Sequence, residues 1–89
     1  MKHFNITITG KVQGVFFRKY TLEQAIQLGV KGFVRNEPNG NVYCEVEGEG
    51  LELQQFIEWC QKGSPMSDVA KVEIVEGVFR GFTHFTIQR

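Results

Sequence analysis

The sequence predicts an α+β fold in which an antiparallel sheet carries two helices on one face. The chain has 89 residues, the length of one domain, so we expect residues 1–89 to form a single unit. Hydrophobic residues make up 42% and charged residues 22%, close to the globular average, which excludes a disordered chain. Apolar periodicity follows the order strand, helix, strand, strand, helix, strand, with a short final strand. This order is typical of the split βαβ sandwich, βαββαβ.

The first strand and the first helix are separated by a loop that contains two glycines. Three apolar residues alternate with polar ones near the start of the chain: Phe4, Ile6 and Ile8. This period of two is typical of a strand with one buried face. Further along, Leu22, Ala25 and Ile26 recur at helical spacing, and Gly29 suits the position just after a helix end. We therefore predict a helix over residues 17–28.

A pair of strands follows the first helix. Residues 30–35 and 41–47 have strand character, and Pro38 and Gly40 between them favour a hairpin turn. In the second of these strands one face is apolar and contains Val42, Cys44 and Val46. We therefore predict a hairpin whose apolar face is covered by the helices.

The last third of the chain predicts a helix and two strands. Four apolar residues fall at positions i, i+3, i+4 and i+7 of a helix: Leu53, Phe56, Ile57 and Cys60. The helix should span residues 51–61 and end before Gly63 and Pro65. Alternating residues in 70–75 and 84–87 predict the two closing strands.

Neither a membrane segment nor a disulfide framework is indicated. The longest uninterrupted apolar run is Val15-Phe16-Phe17, and the first nine residues lack the continuous apolar segment of a secretion signal. We therefore expect a cytoplasmic protein. The two cysteines, Cys44 and Cys60, have no further Cys or His at the spacing of metal ligands. We expect two buried thiols, the alternative being a single bridge between them.

The charge is balanced in sum but uneven along the chain. Residues 10–35 hold five bases and one acid, a net +4, while residues 36–58 hold six acids and no base, and the total is zero. This balance suggests a local anion site in the first third rather than a nucleic-acid surface, which would need an excess of positive charge. The alternative is that the basic stretch is simply a solvated face.

The loop between the first strand and helix has the ingredients of an anion site. Gly10 and Gly14 allow the backbone to turn, and the helix start supplies free amides. Arg18 adds a guanidinium, a cation that can form two parallel hydrogen bonds with an anion. The alternative is an ordinary turn with Arg18 in solvent. Gly14 is followed by Val15 rather than by the Lys and Ser or Thr of a nucleotide-binding P-loop, so nucleotide binding is not supported.

Other polar residues offer fewer possibilities. The histidines, His3 and His84, lie in predicted strands, and both cysteines lie on core faces, so we expect no nucleophilic catalysis from them. Asn36 ends the second strand on the same face as Val34, the face covered by the helices. Its amide could orient a water molecule beside a bound anion. The alternative role for Asn36 is to initiate the following turn.

Two long motifs resemble those of the acylphosphatase family. Residues 10–18 read Gly-Lys-Val-Gln-Gly-Val-Phe-Phe-Arg and fit each fixed position of the first family signature, G-x-V-Q-G-V-x-(F or M)-R. The second signature begins with Gly, an aromatic residue, a small apolar residue, a variable position and Asn, and residues 32–36 fit it. Gly40, Val42 and Gly48 continue the match. The resemblance extends over essentially the whole chain and implies a ferredoxin-like fold.

The resemblance also implies an activity and its site. The family hydrolyses the carboxyl-phosphate bond of acyl phosphates to a carboxylate and inorganic phosphate, without a metal, a cofactor or a covalent phosphoenzyme. By this resemblance Arg18 would clamp the phosphate and Asn36 would position the attacking water. The phosphate would be surrounded by the amides of the loop residues Gln13, Gly14, Val15, Phe16, Phe17 and Arg18. The implied partner is a small-molecule acyl phosphate, and we expect a monomer that binds neither nucleic acid nor membrane.

Two further expectations concern residues beside this site. Val15, Phe16 and Phe17 need no chemical role and should anchor the loop to the core. Glu37 follows Asn36 where many relatives carry Thr, and strand parity should direct its carboxylate to the opposite side.

Two functions other than catalysis are compatible with this fold. One is a non-catalytic module that binds acyl phosphate or carbamoyl phosphate. The other is RNA binding on the open sheet face, but Tyr43 there lies beside Glu45 and Glu47, which would repel a phosphate backbone.

Overall fold

The computed structural model describes residues 1–89 and has the predicted α+β architecture. The elements in chain order are β1 (Lys2–Lys11), α1 (Phe17–Leu28), β2 (Lys31–Asn36), β3 (Val42–Gly48), α2 (Gly50–Lys62), β4 (Asp68–Gly77) and β5 (Phe85–Gln88). Helix α1 has the bounds predicted from the sequence, and the other elements differ by one or two residues at each end. Neither helix is long and apolar enough to span a membrane.

The five strands form one sheet in the order β4-β1-β3-β2-β5. Strand β1 is antiparallel to β3 and β4, and β2 is antiparallel to β3. The short strand β5 pairs in parallel with β2, so the sheet is antiparallel except at this edge. The last strand thereby runs beside β2 toward Asn36, the end of the sheet where the loop before α1 lies.

The core lies between one face of the sheet and the two helices. The strand residues buried there alternate along β1, β2 and β3: Ile6, Ile8, Val34, Val42, Cys44 and Val46. Helix α2 contributes the predicted face through Leu53, Phe56 and Cys60. Both cysteines are free and buried, as expected, and burial raises the pKa of each thiol, which keeps it protonated and unreactive.

Helix α1 buries a different face from the one predicted. Its buried residues are Phe17, Thr21 and Ala25, whereas Ile26 is 68% exposed and Leu22 is only partly buried. The reason is that Phe17, the first residue of the helix, enters the core. The residues four and eight positions later, Thr21 and Ala25, lie on the same side of the helix and are therefore buried with it. The buried hydroxyl of Thr21 is satisfied because it donates to the Phe17 carbonyl at 2.8 Å.

A buried carboxylate on the opposite face of the sheet holds the segment 78–84 that leads into β5. Glu47 is 1% exposed. Its oxygens accept hydrogen bonds at 2.5, 3.0 and 2.9 Å from three consecutive backbone amides: Arg80, Gly81 and Phe82. The Nδ1 of His3 donates to the same carboxylate at 2.7 Å. The sequence analysis placed Glu47 on an open acidic face and missed this role.

These donors determine the charge state of Glu47. Burial by itself raises the pKa of this carboxyl, but the hydrogen bonds from the Arg80 amide, His3 and the Phe82 amide together lower it by more than burial raises it. The pKa of Glu47 therefore lies below its ordinary value, and the group is ionised at neutral pH.

We predict that Glu47→Gln lowers the free energy of unfolding by about 2–4 kcal/mol at pH 7, because the amide nitrogen replaces an acceptor that faces amide donors. Urea denaturation measures this loss. The lowered pKa means that the ionised carboxylate stabilises the fold above its ordinary pKa and that this stabilisation disappears as the pH falls through the folded-state pKa. The wild-type protein should therefore lose more stability than the variant between neutral pH and pH values of about 3.

Glu76→Gln is the matched control, because Glu76 is exposed on β4 and makes no side-chain hydrogen bond to another residue. Equal unfolding midpoints for the two variants at pH 7 would show that Glu47 does not hold the segment.

Candidate active site

A cavity of about 310 Å3 opens where the loop between β1 and α1 meets the end of β2. Four of the predicted loop residues line it: Gly14, Phe16, Phe17 and Arg18. Asn36 lines it from the end of β2, and Ile87 and Arg89 line it from the C-terminal segment. The fold therefore brings Arg18 and Asn36, the two residues singled out from the sequence, to one cavity.

The loop exposes a row of backbone amides. Gly14 (φ 73°) and Phe16 (φ 59°) both adopt the left-handed conformation. The amides of residues 14–16 donate to no backbone or side-chain acceptor, and the first bond beyond the loop runs from Tyr20 N to Phe16 O at 3.1 Å. The amides of residues 17–19 begin α1 and have no acceptor within the helix. Consecutive free amides at a helix start form a binding site for anions.

The two glycines of the loop motif have different roles. Gly14 lines the cavity in a left-handed conformation that favours glycine. Gly10 lies in β1, where its backbone approaches Asp68 of β4 so closely that a Cβ would collide with the Asp68 carbonyl oxygen. Gly10 therefore permits strand pairing rather than shaping the anion site.

Side-chain charge at the cavity is positive. Arg18, Lys19 and Arg89 line it, and no Asp or Glu side chain does. The Arg18 guanidinium has no acidic partner, and its one hydrogen bond within the protein is a long one to the Gln88 carbonyl at 3.4 Å. Its remaining N–H groups are free to form paired bonds with a phosphate or carboxylate.

Asn36 lines the same cavity and carries an unsatisfied acceptor. Its Oδ1 is the one buried side-chain polar atom of the chain without a hydrogen-bond partner. Leaving such an atom unpaired costs about 1–3 kcal/mol. The site therefore retains, at some cost in stability, a side-chain oxygen that no group of the protein pairs with.

Two side chains hold the loop in place without lining the cavity. Gln13, predicted as part of the binding loop, donates its Nε2 to the carbonyls of Glu37 and Asn41, both at 2.8 Å. These bonds tie the loop to the turn that follows Asn36. Ser64 is buried and donates its hydroxyl to the Val15 carbonyl at 2.9 Å. The sequence analysis did not identify Ser64 as a site residue, because this bond joins positions 49 residues apart.

The expectation that Val15, Phe16 and Phe17 all anchor the loop is wrong for Phe16. Val15 and Phe17 are 5% and 2% exposed, and the Phe17 ring packs on Trp59 with 5.3 Å between the ring centroids. Phe16 is 67% exposed. Successive side chains at the start of a helix point in different directions, so Phe16 and Phe17 cannot both enter the core.

Glu37 lies away from the cavity, as strand parity indicated. It is absent from the cavity lining, and its Oε2 lies 3.3 Å from the Arg35 Nε. The carboxylate next to Asn36 in sequence therefore pairs with a base on the other side of the strand.

Comparison with known proteins finds relatives along nearly the whole chain. The acylphosphatase family model matches residues 4–87. A protein from Syntrophobacter fumaroxidans named acylphosphatase is 49% identical over 84 residues, covering 93% of this chain and 87% of that protein. The crystal structure of acylphosphatase from Bacillus subtilis superposes with a TM-score of 0.97 at 33% identity, covering 100% of both chains. An acylphosphatase structure from Coxiella burnetii gives a TM-score of 0.94 at 32% identity, covering 98% of this chain and 92% of that chain.

The unpaired oxygen of Asn36 leads to a prediction about stability. Asn36→Ala removes a buried polar atom that has no partner, so the free energy of unfolding should stay unchanged or rise by up to about 1 kcal/mol. Ser64→Ala is the contrasting variant. It leaves the Val15 carbonyl without its donor and should lower the free energy of unfolding by about 1–3 kcal/mol. Denaturant titrations of both variants test this difference, and a loss of stability in Asn36→Ala as large as that in Ser64→Ala would contradict it.

Proposed function

The chain belongs to the acylphosphatase family, and on that premise we propose that the cavity between Arg18 and Asn36 is the active site of an acyl phosphate hydrolase. The products are a carboxylate and inorganic phosphate. The observation that carries the proposal is what meets at one cavity: free loop amides, the Arg18 guanidinium, which has no acidic partner, and Asn36, whose side-chain oxygen is unpaired.

The loop and Arg18 hold the phosphoryl group. Its oxygens accept hydrogen bonds from the free amides at the start of α1 and from the Arg18 fork. These donors are held by the fold before substrate arrives, so they stabilise the charge that develops on the phosphoryl oxygens without a reorganisation cost. Gln13 and Ser64 support this arrangement because they fix the loop from two sides.

Asn36 positions the attacking water. Its side-chain amide forms a hydrogen bond with the water and directs the water lone pair at phosphorus, in line with the bond to the leaving oxygen. As the P–O bond to the acyl group breaks, the electron pair leaves with the carboxylate, a weak base that needs no proton. The water proton passes to a phosphoryl oxygen of the substrate, since no Asp, Glu, His or Cys side chain lines the cavity.

The alternative, a module that binds acyl phosphate or carbamoyl phosphate without turnover, has less support. This chain and the Bacillus subtilis acylphosphatase correspond over the full length of both. The two functions differ in an assay with acetyl phosphate, which an enzyme consumes and a binding module only retains.

We further propose that one copy of residues 1–89 is the working unit and that it acts in the cytoplasm. Arg18, Asn36 and the free loop amides meet within one chain, so the proposed chemistry needs no residue from a second copy. Cys44 and Cys60 are free thiols, as is usual for proteins of reducing compartments.

The proposal predicts a large effect at Arg18. Arg18→Ala should lower kcat/KM for acetyl phosphate by about 10²- to 10³-fold, comparable to the loss of one oxyanion donor. Arg18→Lys should recover little of this activity, because a point charge cannot form the paired bonds of the fork. Lys19→Ala is the control for charge alone, and its loss should be less than about tenfold. Near-normal turnover in Arg18→Ala would remove Arg18 from the mechanism.

Asn36 should affect the chemical step more than binding. We expect Asn36→Ala to lower kcat by about tenfold or more while the inhibition constant of inorganic phosphate changes less than threefold, because the free amides and Arg18 remain. Steady-state kinetics with phosphate as a competitive inhibitor separate the two quantities. A weakened affinity for phosphate with an unchanged kcat would make Asn36 a binding residue instead.

A further inference from the structure

Neither folding nor phosphate binding explains why residue 16 carries an exposed aromatic side chain. It is the one residue other than glycine with a positive φ, at 59°, and its ring is 67% exposed. The left-handed conformation is unfavourable for a bulky residue compared with the right-handed one. The ring also recovers little of this cost by burial, in contrast to the adjacent Phe17. The amide of any residue could contribute to the anion site, so the aromatic side chain needs a separate explanation.

The ring lies at the mouth of the proposed active site. Phe16 lines the cavity together with Arg18 and Asn36. The other aromatic residue in the lining, Phe17, is buried and offers its surface to the core. Phe16 is therefore the exposed aromatic surface at the cavity.

The proposed reaction determines where the acyl group of the substrate must lie. In an in-line displacement the attacking water and the leaving oxygen stand on opposite sides of phosphorus. Val12 and Phe17 line the cavity and are buried in the core, 1% and 2% exposed, so an acyl group cannot extend past them. The leaving carboxylate and its acyl group must then point outward, toward the mouth where Phe16 is exposed.

We propose that the Phe16 ring is a platform for the acyl group and makes this enzyme favour acyl phosphates with a flat aromatic acyl group over those with a small aliphatic one. The inference rests on the proposed function and adds a substrate class to it. Stacking between aromatic rings is directional and contributes beyond the burial of area, whereas the methyl group of acetyl phosphate covers little of the ring.

The test compares benzoyl phosphate with acetyl phosphate in the wild-type protein and in Phe16→Asn. Asparagine tolerates the left-handed conformation and retains the backbone amide, so this change removes the ring and leaves the loop intact. We expect the ratio of kcat/KM for benzoyl phosphate to that for acetyl phosphate to fall about 2- to 10-fold. Using the ratio cancels any common change in phosphoryl binding.

Two variants serve as controls. Phe16→Tyr retains the ring and should keep the wild-type ratio. Phe79→Asn removes another exposed phenylalanine, one that does not line the cavity, and should also keep the ratio. A ratio that is unchanged in Phe16→Asn, or that falls equally in Phe79→Asn, overturns the inference.

Inert analogues give a second readout that does not depend on turnover. In phenacylphosphonate and acetonylphosphonate a methylene replaces the anhydride oxygen, so neither can be hydrolysed by loss of a carboxylate. Calorimetry should show tighter binding of the phenacyl compound to the wild-type protein and loss of this preference in Phe16→Asn. Equal affinities in the wild-type protein overturn the inference while acetyl phosphate turnover still supports the proposed function. Absence of turnover with both acyl phosphates overturns the proposed function and the substrate preference together.

Discussion

The exposed amides at the start of α1 are the feature on which the rest of the site depends. Backbone donors are effective only if the turn at Gly14 and Phe16 stays rigid, because the chain could otherwise pair them with its own carbonyls or with water. The fold fixes the turn from three directions, through Gln13 to the β2–β3 turn, Ser64 to the Val15 carbonyl, and Phe17 to the core. A binding site for an anion can therefore be built mainly from main chain.

Support for the cavity continues on the opposite face of the sheet. Glu47 accepts hydrogen bonds from the backbone amides of the segment that leads into β5, and β5 pairs with β2, the strand that ends at Asn36. The end of this strand also supplies Ile87 to the cavity and the Gln88 carbonyl to Arg18. The buried carboxylate of Glu47 and the candidate site, on different faces of the sheet, thus both depend on the short edge strand β5.

Local patterns were sufficient to predict the elements and to single out two residues that line one cavity. The bounds of α1 follow from its spacing and Gly29, and the two motifs identify Arg18 and Asn36 as residues that the fold then brings to one cavity. The features that the sequence did not predict are those that depend on the tertiary structure. The exposure of Ile26 depends on which face of α1 meets the sheet, and the role of Glu47 depends on a segment more than thirty residues later. The exposure of Phe16 depends on a backbone angle that its residue type disfavours.

The strand order has a consequence for synthesis of the chain. Strand β1 is made first but lies inside the sheet, and its two neighbours, β3 and β4, are made later. A ribosome-bound chain therefore leaves one edge of β1 unpaired until β4 has emerged, and β2 waits still longer for its parallel neighbour at the C-terminus. Such distant pairings slow folding, so closure of the sheet is a late, nearly all-or-none event.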